Sequence, residues 1–261
     1  SAISLDNYYL ADIIDYYNLV NTTTGFNHTY ATDFLAGFPS DSTIPPGGYQ
    51  VIAMNSTDFI AEYGGKVPNY CLEGVESPLM NGTNGFIGGS VGLTDGGETV
   101  VLFYWDGTND LVEDVDIVWW GSNDAYKIDK SSISIDSEHD GDATTSTYNN
   151  DASNYPSIKS GAHGSGNSFN RTDFSEPEEV QNAGNGKTGH DETSENLTAS
   201  WIFNTEANPM TTVPPRSPPV IRSVVQNPEG NPTPGTDVTV TANVTDDGQV
   251  SSVNISVTVD D

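Results

Sequence analysis

The stretch GLTDGGETVVLFYWDGTNDLVEDVDIVWWG, residues 92–121, limits the fold more than any other part of this chain. Asp95-Gly96-Gly97 is a turn signal, residues 99–105 are dense in Val, Leu and aromatic side chains, and Asp106-Gly107 marks a reversal before a second apolar run at 111–120. Glycine supplies the backbone angles of tight turns, and branched and aromatic residues suit a pleated surface, so the segment predicts two long antiparallel strands. Side chains alternate across a strand. Phe103 and Trp105 therefore share one face while Tyr104 takes the other, and Trp119 and Trp120 point opposite ways. One face of each strand is core; the second needs a cover, either a long loop or a neighbouring subunit.

Strand signals dominate the rest of the chain, and helix signals are nearly absent. PPGGYQVIAM, residues 45–54, reads as a turn followed by a half-buried strand with Tyr49, Val51 and Ala53 on one face. YYLADIIDYYNLV, residues 8–20, is rich in β-formers and reads as strand, with a short helical turn left open. Residues 127–197 are polar and loop-rich, which in a compact domain marks a functional, ion-pinned or mobile segment. NPMTTVPPRSPP, residues 208–219, carries five prolines and reads as a linker. Beyond it, residues 220–225, 237–244 and 250–259 give three strand signals, as in the first strands of an immunoglobulin-like sandwich. The expectation is an all-β chain with three parts: a β-sandwich over 1–207 carrying the long loop region 127–197, the linker 208–219, and a partial immunoglobulin-like module over 220–261. Three strands cannot cover a sandwich core, so that module needs more chain or strands from a neighbour.

Composition narrows the setting. Eight Lys plus Arg against 37 Asp plus Glu give a net charge of -29 over 261 residues, which repels nucleic acid and anionic membranes. The single cysteine, Cys71, excludes an internal disulfide framework and a cysteine-based zinc cluster. No run reaches the ~18 apolar residues of a membrane span, so no membrane insertion is expected. Eight Asn-x-Ser/Thr sites, at Asn21, Asn27, Asn55, Asn81, Asn170, Asn196, Asn243 and Asn254, are candidate acceptors for N-linked glycans. Acidity, few lysines and abundant Thr, Asn and Gly favour an extracellular surface, although a salt-adapted cytoplasm also suits the charge.

Four segments, SLDNYYLADIIDYYNLV, FPSDSTIPPGGYQVIAM, GSVGLTDGGETVVLFYWDGTNDLVEDVDIVWWGS and GNGKTGHDETSENLTASW, resemble in that order the lamin tail domain of secreted bacterial and archaeal proteins. Residues 5–12, 44–49 and 92–102 carry the matching motifs, and the likeness spans about residues 1–201. It implies an immunoglobulin-like β-sandwich acting as a structural or interaction module, with no catalytic residues to carry over. The family's opening strand has no counterpart here, and the long 127–197 segment exceeds what a compact lamin tail needs. The missing strand is expected from a neighbouring subunit, donated beside residues 5–12.

Candidate ligands lie in the acidic loops. Asp136, Glu138, Asp140 and Asp142, around Gly141, imitate the first half of a calcium loop, but Thr147 stands where an EF-hand needs a bidentate Glu. Two readings stay open: a solvated acidic loop, and a looser calcium site built from these carboxylates and backbone carbonyls. A second acidic set, Asp106, Asn109, Asp110, Asp114 and Asp116, surrounds the hairpin, with Asp114 and Asp116 expected on one strand face. GHDETSEN places His190, Asp191, Glu192 and Glu195 together without the HExxH spacing of a metalloprotease, and reads chiefly as a hydrogen-bonded turn. No nucleophile elbow or phosphate cradle is present. These features point to a non-enzymatic extracellular subunit of a filament or surface layer, self-associating or binding other surface proteins through strand edges. The alternative is an accessory substrate- or carbohydrate-binding module of a larger secreted hydrolase or nuclease.

Overall fold

The computed structural model describes residues 2–21, 23, 32–87, 91–152, 155–159, 161–204, 207, 209 and 220–245. Strand accounts for 32% of the chain and helix for 11%, so the protein is all-β. Its longer strands are β1 (Tyr8–Ala11), β2 (Phe34–Gly37), β3 (Ile52–Asn55), β4 (Tyr70–Glu73), β5 (Asn81–Ile87), β6 (Gly97–Tyr104) and β7 (Glu113–Gly121). Beyond these come β8 (Ser168–Arg171), β9 (Trp201–Asn204), β10 (Val220–Asn227) and β11 (Thr239–Thr245). A five-stranded antiparallel sheet in the order β5-β2-β1-β6-β7 is the frame, and the pairs β3-β4, β8-β9 and β10-β11 are separate ribbons.

The hairpin read from residues 92–121 is the β6-β7 pair, registered from Gly97 opposite Gly121 to Tyr104 opposite Glu113. Alternation holds along β6: Thr99, Val101 and Phe103 are fully buried while Val100, Leu102 and Tyr104 are half-buried. On the first face, Val101 and Phe103 join Ala11, Leu35 and Ile117 in the largest core, closed by Tyr16, Leu19 and Val20 of a 3-10 turn and by Ile128, Ile135 and Tyr148 of the long segment. On the second face, Phe34 and Ala36 pack against Tyr70, Leu72 and Met80, covered by the β3-β4 ribbon. The long loop-rich segment thus closes the first core, and through Phe169 it also reaches Trp120 on the hairpin's other face.

Residues 8–20 divide into β1 and the 3-10 turn Tyr16–Val20, the short helical turn left open by the sequence, because the apolar residues after Ala11 turn back onto the sheet. Other sequence expectations are corrected. The strand expected over 45–54 begins only at Ile52, leaving Tyr49 exposed, and leads into a helix, α1 (Ser56–Glu62), that strand patterning missed. Its local signal is Asn55, whose Oδ1 accepts from the N–H groups of Thr57 at 2.9 Å and Asp58 at 3.3 Å. α1 is the crossover that lets β3 and β4 pair in parallel. Strand β1 is central, bonded to β2 on one side and β6 on the other, so there is no vacancy beside it for a donated strand.

The outer edge of β7 is also covered. Ile158 N–H donates to Trp119 O at 3.0 Å, Gly121 N–H to Lys159 O at 2.8 Å, and Asp114 N–H to Asn185 O at 3.0 Å, so short pieces of the long segment occupy a strand edge that would otherwise invite pairing. Both tryptophans of β7 are buried: Trp119 against Tyr155 and Leu197, and Trp120 with its ring against Phe169 and its Nε1–H donating to Thr94 O. Strands β10 and β11 match the expected signals at 220–225 and 237–244, whereas the linker, except Pro209, and the signal at 250–259 lie outside the described residues. Phe103 sits at the centre of the first core, stacked on Tyr9 and tilted against Tyr16. Phe103→Ala is expected to cost about 3–5 kcal/mol of stability in urea unfolding, and a loss below about 1 kcal/mol would show that this face is not the main core.

Candidate cation sites in the acidic loops

Asp114 and Asp116 do not share a face. The β6-β7 register shifts between Leu102, opposite Asp116, and Phe103, opposite Asp114, so a bulge at Val115 inverts the alternation between the two aspartates. Asp114 points into the first core, where its carboxylate receives Lys130 Nζ at 2.5 Å and the Tyr16 hydroxyl. Lys130 is fully buried; it also donates to Tyr16 Oη at 2.9 Å and lies 3.4 Å from Asp151 Oδ2. Asp151 in turn accepts Lys130 N–H at 2.7 Å and Asn185 Nδ2 at 2.5 Å. Burial pushes the Asp114 carboxyl up, and the neighbouring Lys130 ammonium opposes that shift. Every polar atom named here has a partner, and the group reads as a structural knot rather than a reactive site.

The four carboxylates of the candidate calcium loop divide between different partners. Glu138 accepts from Thr23, through its N–H at 3.0 Å and its hydroxyl, and Asp142 accepts Thr144 N–H at 2.6 Å within its own turn. Asp136 and Asp140 instead converge with Asp110 from the hairpin loop, with one carboxylate oxygen of each within 4.8 Å of the others. Asp110 is held by Ser137 N–H at 2.9 Å and Ser146 Oγ at 2.6 Å, and these bonds hold its carboxyl below the usual range. Asp136 is pushed up, first by burial and then by the charges of Asp140, Asp110 and Asp142, and its buried Oδ1 has no hydrogen-bond partner among the described residues. Three oxygen donors of this kind suit a hard cation such as calcium. The sequence signal was split between two loops about 26 residues apart in the chain, which local spacing could not join.

Asp116 faces the other way and pairs with Arg171 at 2.6 Å. The same guanidinium holds Glu176 and Glu195, each at 3.2 Å. Close by, His190 Nδ1 lies 3.0 Å from Glu179 Oε2, and Glu192 is buried beside them. The turn expected in GHDETSEN is present, since Asp191 Oδ1 caps the 3-10 turn Glu192–Ser194 through Thr193 N–H at 3.1 Å. Sequence reading missed Glu176 and Glu179, which lie in SEPEEV, a run with no metal spacing of its own. A Cβ on Gly184 would stand 1.9 Å from His190 O, so only glycine lets the chain close this loop.

Of the candidate glycan acceptors, Asn81 and Asn243 are exposed; Asn21, Asn55, Asn170 and Asn196 are half-buried; and Asn27 and Asn254 lie outside the described residues. Among the described residues, no helix is long and apolar enough to cross a membrane. No protein-family model, curated protein or solved structure matches the chain.

Two predictions follow from these charges. Lys130→Met should cost about 3–5 kcal/mol because it strands Asp114 in the core, and adding Asp114→Asn should restore part of that loss; an additive double variant would argue against the knot. Burial raises Asp12 to about 8, Glu192 to about 9 and Glu195 to about 7. The folded state therefore holds protons that the unfolded chain releases near pH ~4, so this stability is present below that pH and is lost as pH rises through 7 to 9. Without divalent ions the melting temperature should fall steadily from pH 5 to pH 9.5, with Glu192→Gln flattening the upper part; a flat wild-type profile would contradict this.

Proposed function

We propose that this chain is a non-enzymatic extracellular structural subunit of a cell-surface filament or layer, built on an immunoglobulin-like module of lamin-tail type. The observation that carries the reading is the β10-β11 ribbon. Ile221 and Val224 are each 61% exposed and Val225 54%, so apolar side chains stand in water on both faces of a two-stranded ribbon. Such a ribbon is marginal by itself and gains most from a partner strand or apolar surface. Edge protection supports the same division of labour: β7 is capped by the long segment, whereas β5 ends the sheet on the other side with β2 as its only strand partner among the described residues. Assembly is by pairing at the ribbon and at β5, not by donation beside β1.

Self-repulsion opposes assembly at a charge of -29. Salt screening and calcium at Asp110, Asp136 and Asp140 offset it, and N-linked glycans on exposed sequons such as Asn81 and Asn243 suit a surface protein. The accessory-module reading needs an aromatic face for sugar stacking; the burial of Trp119 and Trp120 takes the hairpin tryptophans out of that role.

Electron microscopy and sedimentation velocity of the whole chain at moderate salt, with and without calcium, test this. Filaments or sheets that grow with salt or calcium, and that Val224→Asp abolishes without altering the melting temperature of the rest, are the expected result. Dispersed monomers under all conditions would overturn it in favour of the accessory module.

A further inference from the structure

From the geometry we propose that Glu176, Glu179 and His190 bind one first-row transition dication of the zinc type, which staples the base of the 181–189 loop. One ligand atom from each of the three residues lies within 4.8 Å of the others. His190 Nδ1 and Glu179 Oε2 are 3.0 Å apart, a hydrogen-bonding contact that needs to open by only a few tenths of an ångström to reach the roughly 3.3–3.6 Å between two tetrahedral ligands of one zinc ion. An independent feature points to a ligand. The Glu179 side chain has no exposure to solvent; its Oε2 accepts Gln181 Nε2–H at 2.6 Å, whereas its Oε1 has no hydrogen-bond partner among the described residues. Leaving a buried carboxylate oxygen unpaired is costly, and a cation placed among these three groups removes that cost.

The donor set selects the metal. Imidazole nitrogen with two carboxylates suits zinc and its first-row neighbours, whereas calcium and magnesium favour oxygen alone. This separates the site from the all-carboxylate group at Asp110. The surroundings also favour a cation: Asp116, Glu176, Glu179, Glu192 and Glu195 gather around one guanidinium, Arg171, and one imidazole, and burial followed by the Glu179 charge pushes the Glu176 carboxyl up. His190 and Glu176 are about a quarter exposed, at 26% and 28%, which leaves a route in from solvent.

The consequence is mechanical. Asp191 N–H donates to Val180 O at 2.9 Å and Gly186 N–H to His190 O at 2.9 Å, so the ligands sit where the loop closes on itself. That loop carries Asn185 and Lys187, whose backbone groups bond to Asp114 at the edge of β7. An ion at its base fixes the cap on that edge. A proton shared between Glu176 and Glu179 is the competing occupant of the same space.

The test is zinc binding to the whole chain at pH 7.5 after stripping with a chelator, read by calorimetry and by elemental analysis after gel filtration, with cobalt absorption as a second probe. The expected result is one tightly held equivalent that excess calcium does not displace. Affinity should fall at least tenfold in His190→Ala and in Glu176→Gln, and stay unchanged in Asp110→Asn. Glu176 is partly exposed, so its variant serves if His190→Ala does not fold. No stoichiometric zinc on the wild type, or wild-type affinity in Glu176→Gln, would overturn the proposal and leave the shared proton in place.

Discussion

The fold depends on one buried ammonium. Lys130 has no exposure to solvent, yet it meets Tyr16 from the first 3-10 turn, Asp114 from β7 and Asp151 from the long segment. These residues come from three stretches that no sheet ladder connects. A charge in a low-dielectric core tolerates few positions for its partners, so the knot sets where the long segment crosses the sheet. From that point follow the placement of Ile128, Ile135 and Tyr148 over Val101 and Phe103, and the approach of Asn185 to the β7 edge through Asp151.

The bulge opposite Leu102 and Phe103 distributes charge between two sides of the molecule. By inverting alternation at Val115 it sends Asp114 to Lys130 and Asp116 to Arg171, so one strand anchors two separate ion networks. The first is closed and fully paired. The second has more carboxylates than cations, and one buried oxygen of Glu179 has no hydrogen-bond partner among the described residues. An acidic protein with only eight basic residues cannot neutralise every buried carboxylate with its own side chains, so several of them hold protons at neutral pH. Proton uptake at Glu192 and the clustering of Asp110, Asp136 and Asp140 share that cause.

Much of the frame was legible in the chain. Turn chemistry at Asp95-Gly96-Gly97 and Asp106-Gly107, with the apolar runs between and after, specified the β6-β7 hairpin to within a few residues, because these signals are local. The ribbon of β10 and β11 was legible for the same reason. Helix α1 was not, since its only strong signal is the Asn55 cap and its apolar residues are few. The candidate cation groups were half legible: Asp110, Asp136, Asp140 and His190 stood out, but Asp110 was read in a different set from Asp136 and Asp140, and Glu176 and Glu179 joined His190 only through the fold.

The sequence by itself determined that this protein is acidic, β-rich, without a disulfide framework, and in need of a cover over its aromatic hairpin. These properties follow from composition and from periodicities of a few residues. Tertiary structure decided which carboxylates meet, which strand is central and which edge is capped. Such choices rest on pairings between residues as far apart as Tyr16 and Lys130, and on one bulge that reverses the faces of neighbouring aspartates. Neither leaves a periodic trace in the chain, because register and long-range ion pairing are settled only when the segments pack.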